Sequence, residues 1–415
     1  MATARVAIVD AYSSGALLAP AFAEHGHECV AIQSRTDVPD LFRSSFTPDD
    51  FVAVVPGDNG ASETAAELTR LDVRHVLAGS EPGVELADEL CECLGLIANG
   101  AGLRAARRDK YLMGEAVRSS GLRTPEQFHS PRLDELQDWA DDRAQWPLVA
   151  KPLRSVGSDA VAVCRTKAEL QQAHQEIAGR TNVLGTVNDS VLVQEFVEGP
   201  EYVVDTVSYA GHHRVAAIWR YHCAPSDLAA GVFYNAIELL PYEGERQESL
   251  VAYAVGVLDA LEIRYGPAHT ELIWVDGEGP VLVETGARLS AGNNATLSRL
   301  CGGPCALDLT VEASLDPERF LAAPPPPPLS AIAMNCFLIR PQGHRLRARP
   351  PLDELRALAS FHRVSIARPP HRRTVIGVVT LVHHDRGVVH DDVRRLRDLE
   401  RTTLYEPVGA AGDGS

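Results

Sequence analysis

Two glutamates are spaced so that folding would force them together. Glu271-Leu-Ile-Trp-Val275 reads as an apolar strand, Asp276-Gly277-Glu278-Gly279 as a turn, and Pro280-Val-Leu-Val-Glu284 as a second strand. A hairpin with Val275 opposite Pro280 sets Glu271 opposite Glu284. Carboxylates facing each other across a ladder, with Cβ atoms ~4.5–5.5 Å apart, repel. A divalent cation between them would make the arrangement favourable, and Mg²⁺ takes carboxylates together with phosphate oxygens. The competing reading is an edge hairpin with both glutamates in solvent.

The neighbouring residues bear on that choice. Arg288 lies four positions beyond Glu284, across Thr285-Gly286-Ala287, and arginine suits oxygen anions. Gly292-Asn293-Asn294 adds backbone and amide donors. A cation site beside a fixed positive charge points to phosphoryl chemistry. Upstream, Val149-Ala150-Lys151-Pro152 is an apolar strand carrying a lysine, and lysine is seldom buried without a partner. Arg154-Ser155-Val156-Gly157-Ser158-Asp159-Ala160 follows as a small-residue loop able to donate amides to phosphate. Lys110 stands at a helix start, where a cation opposes the macrodipole unless its ammonium reaches elsewhere. Gln194-Glu195-Phe196-Val197, a turn, and Glu201 form a strand edge that could read an adenine and its ribose. Each piece alone also fits ordinary structure: a snorkelling or surface lysine, or a plain hairpin.

The elements that must position these residues follow from pattern. Residues 5–100 alternate strand and helix signals: strands at Val6–Val9, Val30–Gln33, Phe51–Pro56 and His75–Ala78, helices at Ala16–Gly26 and Glu63–Leu71. That is a parallel α/β layer. Its first turn, Ala11-Tyr12-Ser13-Ser14-Gly15, lacks the Gly-x-Gly-x-x-Gly spacing of a dinucleotide site. Residues 100–190 hold a helix at Lys110–Ser120, a strand at Leu148–Pro152 and a helix at Lys167–Ala178; residues 191–311 are richer in strands. Five prolines, Pro324 to Pro328, read as a stiff spacer. Beyond them, Ala331–Ile339, Leu352–Ala359, Thr374–Val382 and Asp391–Arg401 read as strand, helix, strand and helix, with the last ten residues frayed. The expected organisation is an α/β domain over 1–104, two α+β lobes over 105–190 and 191–322, and a small α/β subdomain over 329–405.

Composition narrows the partners. The chain has 415 residues and a formal net charge of -17, which repels nucleic acid and anionic lipid. No stretch approaches the ~18 apolar residues of a membrane span. The eight cysteines are scattered, without zinc spacing or a disulfide framework, which suits a reduced, cytoplasmic setting.

In order and spacing, these residues resemble the ATP-grasp superfamily over roughly residues 1 to 320. The resemblance implies that Lys110, Lys151, Ser155, Gly157 and Ser158 contact phosphates. It implies that Glu195, Phe196, Val197 and Glu201 bind adenine and ribose, that Glu271 and Glu284 hold Mg²⁺ or Mn²⁺, and that Arg288 meets the transferred phosphate. Lys151, Arg288 and Asn294 are then the catalytic candidates. His269-Thr270-Glu271, Glu284-Thr-Gly-Ala-Arg288 and the C-terminal unit look most like the L-amino acid ligases, a group that includes bacilysin-type dipeptide synthetases, dapdiamide-type ligases and carnosine synthase. That implies ATP-dependent joining of a small carboxylate to an amine, and, from the family resemblance alone, a homodimer. Two departures stand out. Many members carry Glu-x-Asn where this chain has Glu284-Thr285-Gly286, so Asn293, Asn294 or water would replace the amide ligand. The Glu-Thr-Gly-His common in amino acid ligases is here Asn235-Ala236-Ile237-Glu238, so Asn235 and Glu238, with His269 and Gly292, are expected at the substrates. A carboxylase or purine-pathway ligase on the same scaffold, and a non-catalytic ATP-binding module, are the alternatives.

Overall fold

The computed structural model describes residues 5–143, 145–223, 234–347, 350, 352–366 and 375–407. Most of the expected frayed tail lies outside the described residues.

Strands β1 (Arg5–Val9), β2 (Cys29–Gln33), β3 (Ala53–Pro56) and β4 (Val73–Ala78) form a parallel sheet in the order β3-β2-β1-β4. Val6 to Val9 are fully buried, as expected of a strand covered on both faces. The expected helix over 16–26 is instead a 3-10 turn, Ser13–Leu17, followed by a short α-helix, Leu18–Ala23. Pro20 has no N–H to return to residue 16, so the α-helical ladder cannot run through it. The turn comes close to the end of β4: a Cβ on Gly15 would lie 2.1 Å from the Gly79 carbonyl oxygen, so glycine is required there.

The next lobe is an antiparallel sheet, β5 (Gln127–Ser130), β6 (Leu148–Pro152), β7 (Ala162–Cys164) and β8 (Val191–Glu195), in the order β5-β8-β6-β7. Helices Leu133–Arg143 and Lys167–Ile177 cover it through Leu136, Ala140, Leu170, Ala173 and Ile177. Thr166 caps the second helix by accepting from the Glu169 N–H.

Strands β9 (Glu201–Tyr209), β10 (His212–Cys223), β11 (Tyr234–Leu240), β12 (Gly266–Val275) and β13 (Gly279–Gly286) begin the largest sheet. It is completed by β14 (Ile332–Ile339), β16 (Phe361–Ile366) and β17 (Val375–His383), while β15 (His344–Leu346) pairs with β18 (Tyr405–Pro407). The order is β13-β12-β9-β10-β11-β14-β17-β16, so β14, β16 and β17 of the C-terminal segment extend this sheet, while β15 and β18 form a separate two-stranded sheet. Helix Glu245–Ala260 packs Leu250, Ala254, Val257 and Leu258 onto Tyr202, Val204 and Ile218 on one face. Fully burying each of these leucine, valine and isoleucine side chains contributes ~1.5–3 kcal/mol before ordering costs. Helix Arg386–Leu399 starts earlier than the pattern suggests, because Asp385 caps it by accepting from the Gly387 N–H at 2.7 Å. The helix expected over 352–359 is only Leu352–Arg356, and β16, with exposed His362 and Arg363, has too little apolar alternation to be read from sequence. Residues 324–328 adopt no regular secondary structure.

Candidate functional site

Glu271 and Glu284 do face each other, but not through the expected register. The turn is tighter than predicted, with Val275 paired to Gly279 and Leu272 to Leu282. Continued regularly, that ladder would set Val283 opposite Glu271. A bulge between Glu271 and Leu272 inserts one residue and restores the Glu271–Glu284 pair. Lys110 Nζ lies 2.8 Å from Glu284 Oε2 and donates to the Ser155 carbonyl at 2.8 Å. Among the described residues the ion-pair partner of Glu271 is His269, whose Nε2 is 3.7 Å from Oε1. Burial, then Glu284 and Glu201, raise the Glu271 carboxyl well above the usual range. At Glu284 the opposing burial is overcome by Lys110 and Lys151, which hold it low. Burial and the Arg288 charge push His269 down to about 4, leaving a neutral imidazole. One ligand atom from each of His269, Glu271 and Glu284 falls within 4.8 Å of the others. Crowded carboxylate oxygens, with Lys110 paired to Glu284 alone, fit a hard divalent cation, and the imidazole also suits Mn²⁺.

The phosphate side is built by two lysines and a loop. Lys110 opens helix Lys110–Ser119, whose cap Asp109 accepts from the Tyr111 and Leu112 N–H groups at 3.0 and 3.1 Å. The cap offsets the cost of a cation at that helix end. Lys151 on β6 is 6% exposed and has no ion-pair partner among the described residues. Burial, then Lys110, lowers its amine to about 8, against the pull of Glu284, Glu271 and Glu201. The loop after it takes left-handed backbone at Gly157, Ser158 and Ala160 (φ 65, 58 and 52°), a conformation that turns amides toward one side. Ser155 Oγ donates to Asp159 at 2.6 Å and steadies the turn.

A cavity of about 370 Å³ lies between the two lobes, in the size range of small-ligand sites. Lys110, Lys151, Ser155, Gly157, Ser158, Glu195, Phe196, Val197, Glu201, Glu271 and Glu284 all line it. Its walls are apolar at Val149, Val163, Ile273 and Leu282. The Glu195 carboxylate is committed to Arg123 at 2.7 Å and the Glu126 N–H at 3.1 Å, and the Glu195 N–H donates to the Glu126 carbonyl at 2.8 Å, so the backbone of Phe196 and Val197 is what faces a ligand. Glu201 accepts from Tyr234 Oη at 2.7 Å, and burial raises its carboxyl to about 7.

The remaining expected residues do not line this cavity. Arg288, just past β13, pairs through Nε with Glu81 at 2.8 Å and donates from Nη1 to the Leu289 carbonyl at 2.8 Å. Asn294 Oδ1 accepts from Asn335 Nδ2 at 2.8 Å, within a network joining Asn293, Asn335 and Thr380. Gly292 is exposed at φ 71°, and a Cβ there would touch nothing, so the glycine serves the turn. Asn235 lines an adjoining cavity of about 480 Å³ that shares Gly199, Glu201 and Cys223 with the first. Glu238, expected at the substrates, lies on the other face of the sheet. Leu239, Trp219, Val203 and Glu271 pair in a row across the sheet, so Glu238, next to Leu239, points to the opposite face. There it binds His222 at 3.0 Å, Arg386 at 2.7 Å and His390 at 3.2 Å, beneath helix Arg386–Leu399.

Glu81 and Arg108 are the site-adjacent residues that pattern reading missed. Glu81 Oε1 lies 2.9 Å from Arg108 Nη1, and burial of this carboxylate is outweighed by Arg288, Arg108 and Lys110, which bring it to about 2. Asp205, also missed, is buried, accepts from Trp219 Nε1 at 2.7 Å and Ser290 Oγ at 3.1 Å, and is raised by burial to about 6. Glu81 stands in a turn three positions past β4, Arg108 between a 3-10 turn and helix Lys110–Ser119, and Asp205 in the middle of β9, so no shared sequence pattern marks them.

An ATP-grasp domain model matches residues 144–297. The chain is 34% identical over 324 residues to dapdiamide A synthase of Enterobacter agglomerans, covering 76% of this chain and 74% of that one. In structure it resembles an L-amino acid ligase from Bacillus licheniformis, with a TM-score of 0.73, 19% identity and coverage of 98% and 99% of the two chains. A carboxyaminoimidazole ribonucleotide synthase from Aspergillus clavatus, complexed with ATP, matches with a TM-score of 0.69 and 13% identity over 97% of this chain and 99% of that one.

Proposed function

The chain belongs to the ATP-grasp family of ligases, and from that premise we propose that it joins a small carboxylate to an amine, most simply two amino acids, through an acyl phosphate. ATP-dependent C–N ligation follows from the kinship to dapdiamide A synthase. The observation that carries the detailed reading is Lys151: a buried cation with no ion-pair partner among the described residues, facing the same cavity as the Glu271/Glu284 pair. Such a lysine is stabilised by an anion, and a nucleotide phosphate meets that need.

In this proposal the adenine lies between Val149, Val163, Ile273 and Leu282 and is read by the backbone of Phe196 and Val197, with Glu201 at the ribose. Glu271 and Glu284 would hold Mg²⁺, or Mn²⁺ in its place, whose chemistry there is to offset charge on the phosphate oxygens. The substrate carboxylate attacks the γ-phosphorus; the bond to the β–γ bridging oxygen breaks, and ADP leaves. The amine then attacks the acyl carbon, phosphate leaves, and the amine proton passes to solvent or phosphate. Lys110, Lys151 and Arg288 bind the oxygens on which charge builds, so catalysis is positioning plus electrostatics. The loop at 154–160 closes over the phosphates and keeps water from the acyl phosphate. Residues 1–104 and 105–190 then bound the site from two sides, 105–190 supplying Lys110 and Lys151; 191–322 carries the metal carboxylates and Arg288, and 329–405 buttresses the same sheet.

The test is a screen of amino acid pairs with Mg-ATP, reading phosphate release and product mass. ADP release that depends on both partners, with a product lighter by one water than their sum, supports the proposal. Bicarbonate-dependent release without an amine would support the carboxylase reading instead, and absence of any ATP turnover would leave a binding module.

A further inference from the structure

Glu81 comes from the N-terminal domain, in the short turn Glu81–Gly83 beyond β4, yet it contacts residues of two other segments. Its two carboxylate oxygens are divided: Oε2 accepts from Arg288 Nε at 2.8 Å, and Oε1 lies 2.9 Å from Arg108 Nη1. The three side chains are 11%, 11% and 8% exposed. With Nη1 of Arg288 on the Leu289 carbonyl, two of its three nitrogens are fixed and the guanidinium plane is set. The end of β13 is shaped to allow this approach. A Cβ on Gly286 would lie 2.4 Å from His269 Cε1 and 3.2 Å from Glu81 Oε2, so only glycine lets the strand pass. Two guanidiniums share one carboxylate, so a positive charge remains in excess beside the carboxylate hairpin. Ser14 Oγ adds a second bond from the N-terminal domain to the same segment, at the Leu289 carbonyl, 3.3 Å away.

We infer that Glu81 is a positioning residue that aims Arg288 at the transferred phosphate, so that the N-terminal domain helps set the reacting centre. The inference rests on the role given to Arg288 above. A carboxylate in this place does not touch substrate; it holds one Arg288 rotamer and leaves Nη2 for the phosphate. Neutralising it frees the arginine to swing, and the gain from the γ-phosphate falls while the rest of the nucleotide binds as before.

The experiment is calorimetric titration of the full chain with Mg-ADP and with the Mg salt of β,γ-imido-ATP. The ratio of the two dissociation constants isolates the contribution of the γ-phosphate. Wild type, Glu81→Gln, Arg288→Ala and the double variant are compared. We expect Glu81→Gln to lower the ratio about 10-fold, the scale of one charge-assisted hydrogen bond, and the double variant to fall no further than Arg288→Ala alone. Equal weakening of both nucleotides by Glu81→Gln would make Glu81 a domain staple and overturn the inference. Additive losses in the double variant, or a normal ratio in Glu81→Gln beside a reduced one in Arg288→Ala, would overturn it as well. An unchanged ratio in Arg288→Ala would instead refute the role of Arg288, and the inference with it. If Glu81→Gln does not fold, Glu81→Asp, which keeps the charge and shortens the reach, is judged by the same ratio.

Discussion

Replacing Lys151 with methionine should stabilise the empty enzyme and cripple the working one. Methionine matches the lysine stem in length and suits an apolar strand. Lys151 is 6% exposed, and burial, with Lys110 nearby, takes its amine from 10.5 to about 8. A lowered lysine value means that the fold disfavours the charged form. The cost is present in full below pH 8 and fades as pH rises from about 8 to 10.5. At ~1.36 kcal/mol per pH unit, that interval amounts to about 3 kcal/mol at neutral pH, an order-of-magnitude figure. Nucleotide-free Lys151→Met should therefore unfold a few degrees later than wild type at pH 7, with the difference gone near pH 10.5. Its affinity for Mg-ATP should drop roughly 10- to 100-fold, the worth of a charge-assisted contact to phosphate. Thermal unfolding at the two pH values and calorimetric ATP titration read both effects. A variant that is less stable at pH 7 and binds ATP normally would show that Lys151 is a structural lysine, and the reasoning fails.

Glu284→Gln should leave the melting profile near wild type but lower amine-dependent phosphate release at least ~100-fold, because it removes one of two proposed metal carboxylates; near-normal turnover would refute that assignment. Stripping divalent ions with EDTA should abolish release, and Mn²⁺ should restore it as Mg²⁺ does, read in the same assay. Glu238→Gln should cost about 2–4 kcal/mol, since it leaves Arg386, His222 and His390 around a lost charge, and should leave KM values unchanged. Burial of Glu238 is outweighed by His222, Arg386 and His390, which hold its carboxyl at about 2. Its contribution is therefore present above pH 4.5 and lost as pH falls toward 2, which urea unfolding at pH 7 and pH 3 can check. Gly292→Ala should cost about 1 kcal/mol for its left-handed backbone and leave KM unchanged; a large rise in KM would return Gly292 to the substrates.

Local pattern was enough to mark several strands and most of the polar residues that line the cavity. Alternation and glycine stops mark β1 to β4, β6, β12 and β13, because local periodicity and turn residues act within a few positions. Lysine on an apolar strand and paired glutamates around a turn are equally local signals. What lies across space was not legible. The Glu271–Glu284 pair was expected from a wider turn, and it exists because a tighter turn and a bulge shift the register by compensating single residues. Turn length and bulge position are settled by which strands come to lie beside one another, which no local pattern encodes. The side on which Glu238 points was open until neighbouring strands set the face, since a period of two marks alternation but not its phase relative to the core. The partner of Arg288 stands 207 positions earlier in the chain, in another domain. Only tertiary packing brings such residues together, because a carboxylate and a guanidinium carry no sequence mark of each other until burial removes the water between them.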